Sequence, residues 1–303
     1  MPYKGIESIQ ANVGESWELS GVKGSESVVA NGELAGTMLP DLLEREGARL
    51  LGRANYERFG NEFPLLIKFI DARQDLSIQV HPNDELAMRR HGSKGKTEMW
   101  YVMAADEGAR LRSGFARRVT PEEYVASVES DTIAGLLAEY EIHAGDVFFL
   151  PAGRVHSIGA GAFIAEIQQT SDVTYRIYDF NRRDAAGNAR ELHTELAKDA
   201  ISYDVEADYR THYVARDDME TPLVSCPYFT TSLYRLTGWK TIDLAALDCF
   251  VAVIVMEGSG TITDDCGNMV CVHQGETVLL PASTKAVTIV PDKTCSILTS
   301  CIK

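Results

Sequence analysis

The chain has 303 residues, of which 45% are hydrophobic and 24% charged, a composition typical of a folded protein that is long enough for two domains. Its formal net charge of -15 argues against nucleic acid as a partner, because a protein that neutralises phosphates needs a basic surface. A small anionic ligand would need a local cluster of basic residues.

Residues 1–7 carry no apolar signal region, and no apolar run approaches the roughly 18 residues of a membrane-spanning helix. We therefore expect a cytoplasmic protein with no membrane partner; the sequence leaves monomer and homodimer open. All six cysteines lie between Cys226 and Cys301, and none forms a CxxC pair. They are predicted to be small buried hydrophobic residues and not zinc ligands.

Helical segments are expected mainly in the first two thirds of the chain. Thr120, Pro121 and Glu123 predict a helix that begins at Pro121, because a capping threonine, a proline in the first turn and a glutamate three residues after the cap are typical of helix starts. Further helices are predicted over residues 37–50, 130–140 and 189–201.

Short strands separated by Gly, Asn and Asp turns make up most of the remainder, and from about residue 222 the pattern is almost entirely β. This arrangement favours a β-barrel or jelly roll that carries helical insertions. Strands are predicted over residues 64–71, 75–81, 98–103, 146–151, 162–169, 173–179, 250–257, 260–263, 277–281 and 286–290.

One short segment recurs along the chain. Residues 145–152 read GDVFFLPA and residues 275–282 read GETVLLPA. Five residues after the proline, the first copy has His156 and the second has Ala286. The recurrence indicates two related barrels, of which only the first kept a metal ligand; the alternative is a coincidence between two Gly-acid-apolar-Pro strands.

Four side chains on or beside predicted strands form a candidate metal site. Gln79 and His81 are two residues apart and point to the same face of one strand. Glu98 begins another predicted strand, and His156 comes shortly after a third, 146–151. A lone histidine in a strand is usually structural, but this nitrogen and oxygen set suits a catalytic divalent metal with open positions.

Four motifs, in this order, resemble the short bacterial form of the type I mannose-6-phosphate isomerases, a family of cupin enzymes. They are GESWELS (14–20), IQVHP (78–82), GKTE (95–98) and AEIQQTSDVTYR (165–176). The resemblance implies a mainly β fold of two cupin-like jelly-roll barrel domains with a few helical insertions in the first. We expect a metal-binding catalytic domain over residues 1–215 and a smaller domain without a metal site over residues 216–303.

The resemblance also implies one Zn²⁺ per chain, although other divalent metals suit such ligands. Two departures from the family stand out. Arg182 takes the place of a lysine that contacts phosphate in long eukaryotic members, and Gly95 takes the place of a histidine found in long bacterial members. A mechanism that uses that histidine cannot operate here. The implied metal ligands are Gln79, His81, Glu98 and His156; the implied catalytic residues are Lys96, Glu166 and Arg176; the implied substrate-binding residues are Ser77, Asp172 and Arg182.

The implied reaction interconverts mannose 6-phosphate and fructose 6-phosphate through an enediol. Lys96 shares the strand face of Glu98, so its amine could stabilise an oxyanion or, with its pKa lowered by the metal, shuttle a proton. Glu166 is a candidate general base and Arg176 a candidate clamp for phosphate or an enediolate oxygen. The structural alternatives are a buried Glu166–Arg176 ion pair and a solvated charge run around Arg182.

Three other functions are alternatives to this one. The first is isomerisation of another sugar phosphate, such as glucose 6-phosphate. The second is a metal-containing cupin that only binds a sugar phosphate, which the presence of Lys96, Glu166 and Arg176 around the metal disfavours. The third is an iron oxygenase, which normally has a histidine-rich ligand set and is disfavoured by Gln79.

Overall fold

The computed structural model describes residues 13–184 and 186–303, and within these ranges strands dominate, so the mainly β expectation is confirmed. The strands are β1 Glu15–Leu19, β2 Leu65–Ala72, β3 Ile78–Val80, β4 Glu98–Ala105, β5 Arg110–Phe115, β6 Leu137–Glu141, β7 Val147–Leu150, β8 His156–Ile158, β9 Ala162–Gln169, β10 Tyr175–Tyr178, β11 Glu220–Ser225, β12 Thr230–Leu236, β13 Lys240–Asp243, β14 Val251–Asp264, β15 Met269–His273, β16 Thr277–Leu280 and β17 Ala286–Cys301. The helices are α1 Leu39–Glu46, α2 Ala48–Leu51, α3 Arg53–Phe59, α4 Asp84–His91, α5 Pro121–Glu129 and α6 Thr194–Ala200.

The chain forms two compact units, each discontinuous in sequence. One contains Gly14–Ser16 and Lys68–Thr211, and the other contains Trp17–Ile67 and His212–Lys303. The functional division into domains 1–215 and 216–303 stays a prediction.

Two five-stranded sheets carry the candidate site residues on their strands or in the segments next to them. Their strand orders are β1-β2-β9-β4-β7 and β10-β3-β8-β5-β6. Trp100, Phe148 and Leu150 belong to a buried cluster against the first sheet, while Ile78 and Tyr175 belong to a second cluster against β3 and β10. Close packing of these apolar side chains fixes where the polar side chains of β3, β4 and β8 stand.

The third sheet is seven-stranded and is built around the antiparallel pair β14 and β17. The strands predicted at 250–257 and 260–263 are one strand, β14, in which the register shifts near Gly258. The pairing continues across the shift because β17 runs alongside both halves. β17 likewise extends well beyond the predicted 286–290.

Two helix predictions require correction and two are confirmed, one of them by α6, which lies within the predicted 189–201. α5 begins at Pro121, with the Thr120 hydroxyl accepting a hydrogen bond from the Glu123 backbone N–H at 3.2 Å. Segment 37–50 is two helices, because the backbone turns at Gly47 with φ of 50°. Segment 130–140 is not a helix: one 3₁₀ turn leads into β6, whose backbone pairs with β5.

The recurring segment has the same turn in both copies. The His143 N–H donates to the Asp146 side chain at 2.9 Å, and the His273 N–H donates to the Glu276 side chain at 2.8 Å. In each copy the N–H of the acidic residue donates back to the histidine carbonyl at 3.0 Å. The likeness of the two segments therefore extends from sequence to hydrogen bonding.

The cysteine prediction holds in part. Cys249, Cys295 and Cys301 are buried, whereas Cys266 and Cys271 are exposed because they lie in a turn and on the edge strand β15. Among the helices of the described chain, none has the length and apolar character needed to cross a bilayer.

Candidate metal centre

Four polar side chains from three strands meet at one point. Gln79 on β3 lies directly opposite His156 on β8, and their Nε2 atoms are 3.2 Å apart. The first residue of β4, Glu98, places Oε1 3.3 Å from His156 Nε2 and Oε2 3.5 Å from His81 Nε2. One ligand atom from each of His81, Glu98 and His156 lies within 4.8 Å of the other two. The four residues selected from the sequence are therefore neighbours.

Backbone carbonyls set the orientation of both histidines. His81 Nδ1 donates to the Val173 carbonyl at 3.0 Å, and His156 Nδ1 donates to the Arg154 carbonyl at 2.8 Å. These bonds require the proton on Nδ1 and leave each Nε2 with a lone pair directed at Glu98. Burial lowers the pKa of both imidazoles, with the Lys96 ammonium contributing, so they are neutral and ready to act as ligands.

The donor set fits a divalent metal. His156 Nε2 and Glu98 Oε1 are both acceptors, so their approach to 3.3 Å is unfavourable unless a cation lies between them. A tetrahedral ion with ligand distances of about 2.0–2.1 Å separates its ligands by about 3.3–3.4 Å, close to the observed spacings. Among the described residues, His81 Nε2 and Glu98 Oε1 are buried without a hydrogen-bond partner. Rotation of the Gln79 amide would present its oxygen as a fourth donor.

A buried ion-pair network adjoins Glu98. Lys96 Nζ lies 2.8 Å from Glu98 Oε2 and 3.5 Å from Glu166 Oε1. Lys68 Nζ lies 3.1 Å from the same Glu166 oxygen, and Trp100 Nε1 donates to Glu166 Oε2 at 2.8 Å. Glu166 is thus bound by two lysines and a tryptophan, and not by the arginine that the ion-pair alternative named.

This network determines the charges beside the metal site. Burial alone would lower the pKa of Lys96, but the Glu166 and Glu98 carboxylates outweigh it and raise that pKa. The direction is opposite to the one expected from a neighbouring metal cation alone. Burial opposes ionisation of Glu166, yet Lys68 and Lys96 lower its pKa to about 2. Lys96 is therefore a cation and Glu166 an anion near neutral pH.

Two further residues selected from the sequence flank Gln79. Arg176 on β10 is the register partner of Gln79, so both side chains project from one face of the sheet. Its Nη1 donates to the Glu191 carbonyl at 3.1 Å, and its buried Nε has no hydrogen-bond partner in the described chain. Ser77 is buried immediately before β3.

Asp172 and Arg182 lie in the segments before and after β10, respectively. Asp172 is exposed in the segment before β10, next to the Val173 carbonyl that holds His81. Arg182 follows β10 and forms a hydrogen-bonded ion pair with Asp179.

Sequence reasoning missed Lys68 and the Trp100–Glu166 hydrogen bond. Lys68 interrupts LLIKFI (65–70), a run of otherwise apolar residues in β2, and a lone lysine in such a run is a signal for a buried ion pair. The side-chain oxygen of Ser113 was also missed. It and the Gln168 side-chain oxygen are buried without a hydrogen-bond partner in the described chain, and the two residues are the register partners of His156 and Glu98 respectively.

Two family models match the chain. "Phosphomannose isomerase type I, catalytic domain" matches residues 4–108, which include Gln79, His81, Lys96 and Glu98. "Mannose-6-phosphate isomerase, cupin domain" matches residues 219–302.

Curated relatives and solved structures agree with these models. The chain is 35% identical to a mannose-6-phosphate isomerase of Streptococcus mutans over 93% of this chain and 87% of the relative. It is 38% identical to one from Bacillus subtilis over 82% of this chain and 77% of that protein. The crystal structure of a Bacillus subtilis mannose 6-phosphate isomerase superposes with a TM-score of 0.86 at 31% identity, covering 99% of this chain and 93% of the other.

Proposed function

The chain belongs to the type I phosphomannose isomerase family, and we propose that it interconverts mannose 6-phosphate and fructose 6-phosphate through an enediol at a single Zn²⁺ site. One structural observation carries the proposal. The buried His81–Glu98–His156 cluster has the charged Lys96 ammonium in contact with one of its members. A metal site with an adjacent fixed cation suits a reaction in which negative charge develops on two neighbouring oxygens.

We assign the metal to His81, Glu98, His156 and the Gln79 amide oxygen. Three or four nitrogen and oxygen donors at this spacing suit zinc, and the two Nδ1–carbonyl hydrogen bonds would hold the imidazoles in place for it. When bound, the ion supplies Lewis acidity toward the sugar oxygens at C1 and C2.

Lys96 is proposed to stabilise the enediolate oxygens. Its ammonium is held by Glu98 and Glu166, so it need not reorganise as charge develops on the substrate. Glu166, with a pKa of about 2, is a weak base, and we assign it to holding Lys96 in place. This revises its expected role as a general base.

Arg176 and Ser77 are proposed to contact the sugar. Arg176 stands beside Gln79 and has a buried Nε available for an oxygen acceptor. Its pKa is lowered by burial and by Arg190 and Arg182, which makes it the better candidate for proton exchange at C1 and C2. Asp172 and Arg182 are proposed to contact the more distant part of the substrate.

We also propose that the chain is built from two cupin-type β domains. The shared turn in the two copies of the recurring segment supports this, as does the cupin family model over residues 219–302. Ala286 stands where the first copy has the ligand His156. The C-terminal copy would therefore have lost its metal.

Turnover of a small panel of sugar phosphates tests the reaction. Purified protein is incubated with mannose 6-phosphate, and fructose 6-phosphate is detected with a coupled enzyme; glucose 6-phosphate serves as the competing substrate. We expect turnover of mannose 6-phosphate and much slower turnover of glucose 6-phosphate. A preference for glucose 6-phosphate would overturn the substrate assignment, and binding of both without turnover would favour the non-catalytic cupin.

A further inference from the structure

One buried carboxylate holds two arginines in the segment that follows β10. Asp179 comes directly after β10 and is 5% exposed. Arg190 donates to it with two nitrogens, Nε to Oδ2 at 2.7 Å and Nη2 to Oδ1. Arg182 donates Nη2 to the same Oδ1 and Nε to the Asp179 backbone carbonyl at 3.2 Å. The two guanidinium groups are therefore fixed side by side.

The arginine side chains stay accessible despite this anchoring. The Arg182 side chain is 30% exposed and that of Arg190 is 51% exposed, whereas that of Asp179 is 6% exposed. A guanidinium group has five N–H donors, so binding to Asp179 leaves donors on each arginine for an outside acceptor. The carboxylate thus orients the pair without using all of its donors.

Positive charge is in excess around this pair. Arg176 is close enough for Arg190, Arg182 and Asp179 all to act on its pKa, together with the exposed carboxylate of Glu191. Of these three guanidinium groups, those of Arg182 and Arg190 bind the Asp179 carboxylate, and that of Arg176 donates to the Glu191 backbone carbonyl. The protein has a net charge of -15, and an anionic ligand therefore requires a local basic cluster. These arginines form such a cluster.

β10 connects the arginine cluster to the proposed metal site. Arg176 pairs in register with the metal-site residue Gln79, and Asp179 is three residues farther along the chain. Three extended residues span about 10 Å, comparable with the length of an open-chain hexose phosphate. A sugar with C1 and C2 at the metal site could therefore direct its phosphate toward the Asp179-bound arginines.

We propose that Arg190, held by Asp179 beside Arg182, binds the phosphate group of the substrate. The inference rests on the proposed function, since it names the residue that recognises the phosphate of that substrate. Paired guanidinium groups match the oxygens of a phosphate dianion, and the anchoring carboxylate reduces the ordering cost of binding. Asp179 is a positioning residue here, acting through the two arginines.

Direct binding measurements separate this role from turnover. The probe is mannitol 6-phosphate, which cannot isomerise, titrated by calorimetry into wild-type protein and the Arg190→Ala, Arg190→Lys and Arg183→Ala variants. Arg183 is the matched control, because it removes one charge from the same segment while its own Nη1 donates to the Gly187 carbonyl. We expect roughly 10- to 100-fold weaker binding for Arg190→Ala, a smaller loss for Arg190→Lys, and a change within about twofold for Arg183→Ala.

Kinetics give the second readout. Arg190→Ala is expected to raise KM for mannose 6-phosphate with kcat changed by less than about threefold, because a phosphate contact remote from C1 and C2 acts on ground state and transition state alike. Asp179→Asn is expected to shift KM in the same direction, and its melting temperature shows whether it folds.

Each outcome is decisive. Wild-type affinity for mannitol 6-phosphate in Arg190→Ala, with only a lower melting temperature, would reduce the Asp179–Arg190 pair to a structural link and overturn the inference. Failure of the wild-type protein to bind the probe would overturn it as well. Binding that depends on Arg190 in a protein that does not isomerise mannose 6-phosphate would refute the proposed reaction and leave the phosphate site intact.

Discussion

Lys96 and Glu98 are joined by a 2.8 Å contact between Nζ and Oε2, so the carboxylate that faces both site histidines also holds a buried ammonium. Because Glu166 holds the same ammonium from another side, the cation is fixed next to the proposed metal ligands. A fixed cation and a metal at adjacent positions can together stabilise charge on two neighbouring oxygens.

Replacing Lys96 with methionine tests that arrangement. We expect Lys96→Met to lower kcat by about 10²- to 10³-fold, the usual effect of losing one preorganised donor to an oxyanion. Metal content, measured by mass spectrometry, should stay near wild type, because Lys96 is not a ligand. Lys293→Met, at an exposed lysine of β17, is the control for removal of charge. A Lys96→Met enzyme with near wild-type kcat would refute the role of this cation.

Glu166 should matter for stability as much as for catalysis. Glu166→Gln removes the carboxylate that Lys68 and Lys96 share, and breaking a buried pair in this way costs about 3–5 kcal/mol of unfolding free energy. Urea denaturation of the wild-type protein and Glu166→Gln measures the difference in unfolding free energy. Glu139, which Arg110 and Arg112 share near the surface, is the matched control, and Glu139→Gln should change stability little. Equal effects of the two changes would contradict the account.

The pH dependence of stability should report the site histidines. Burial lowers the pKa of His81 and His156 below 6.5, so between that pH and the folded-state values the unfolded chain binds more protons than the folded one. Stability of the chelator-treated protein therefore falls as pH decreases below 6.5, with a limiting slope of about 1.4 kcal/mol per pH unit for each histidine.

Urea denaturation at about pH 7.5 and about pH 5.5 measures this loss, and His156→Gln should reduce it. Both pH values lie above the range in which Glu166 titrates, because its stabilising ionisation is lost only as pH falls from 4.5 toward 2. Unchanged stability at the lower pH would show that the histidines are not buried as neutral groups.

Gly95 should not tolerate a side chain. A Cβ at this position would lie 2.5 Å from the backbone of both Asn83 and Asp84, at the start of α4. Gly95→Ala is therefore expected to lower stability by about 1–3 kcal/mol and to reduce kcat, since Lys96 must move with its neighbour. Gly135→Ala is the control, because a Cβ there meets nothing within 4 Å. Wild-type stability and activity in Gly95→Ala would contradict the packing argument.

The same contact gives a physical reason for one departure from the family pattern. A histidine at position 95 would fit only if the backbone at the start of α4 moved away, so the observed position of α4 requires glycine here.

The proposed ligand set could be selected from the sequence because strand alternation and turn signals mark its members locally. Gln79 and His81 share a face of one strand whatever the rest of the fold, and Glu98 and His156 lie at strand ends next to clear turn signals. Strands such as β2, β4 and β9 followed from alternation and turn residues in the same way, whereas β1, β5 and β6 were not among the predicted ranges. The prediction of a helix over residues 130–140 was wrong because backbone pairing of β6 with β5 outweighs the helix propensity of these residues.

The ion-pair network and the arginine cluster depend on contacts distant in sequence. Lys68 and Trp100 meet Glu166 only because β2, β9 and β4 are neighbours in one sheet. Arg190 meets Asp179 across eleven positions of a segment that no periodic pattern describes. A single sequence does not encode strand order directly, so these partners emerged only from the structure.

We propose that a metal bound by His81, Glu98, His156 and Gln79 is required for isomerisation. The most direct test strips the purified protein with a chelator, adds Zn²⁺ back in steps, and measures bound metal and mannose 6-phosphate turnover in the same samples. We predict that turnover disappears with the metal and returns in proportion to it up to one ion per chain, and that His156→Ala neither holds a full equivalent nor recovers. Full turnover in the metal-free protein, or a full equivalent of metal in His156→Ala, would contradict the account.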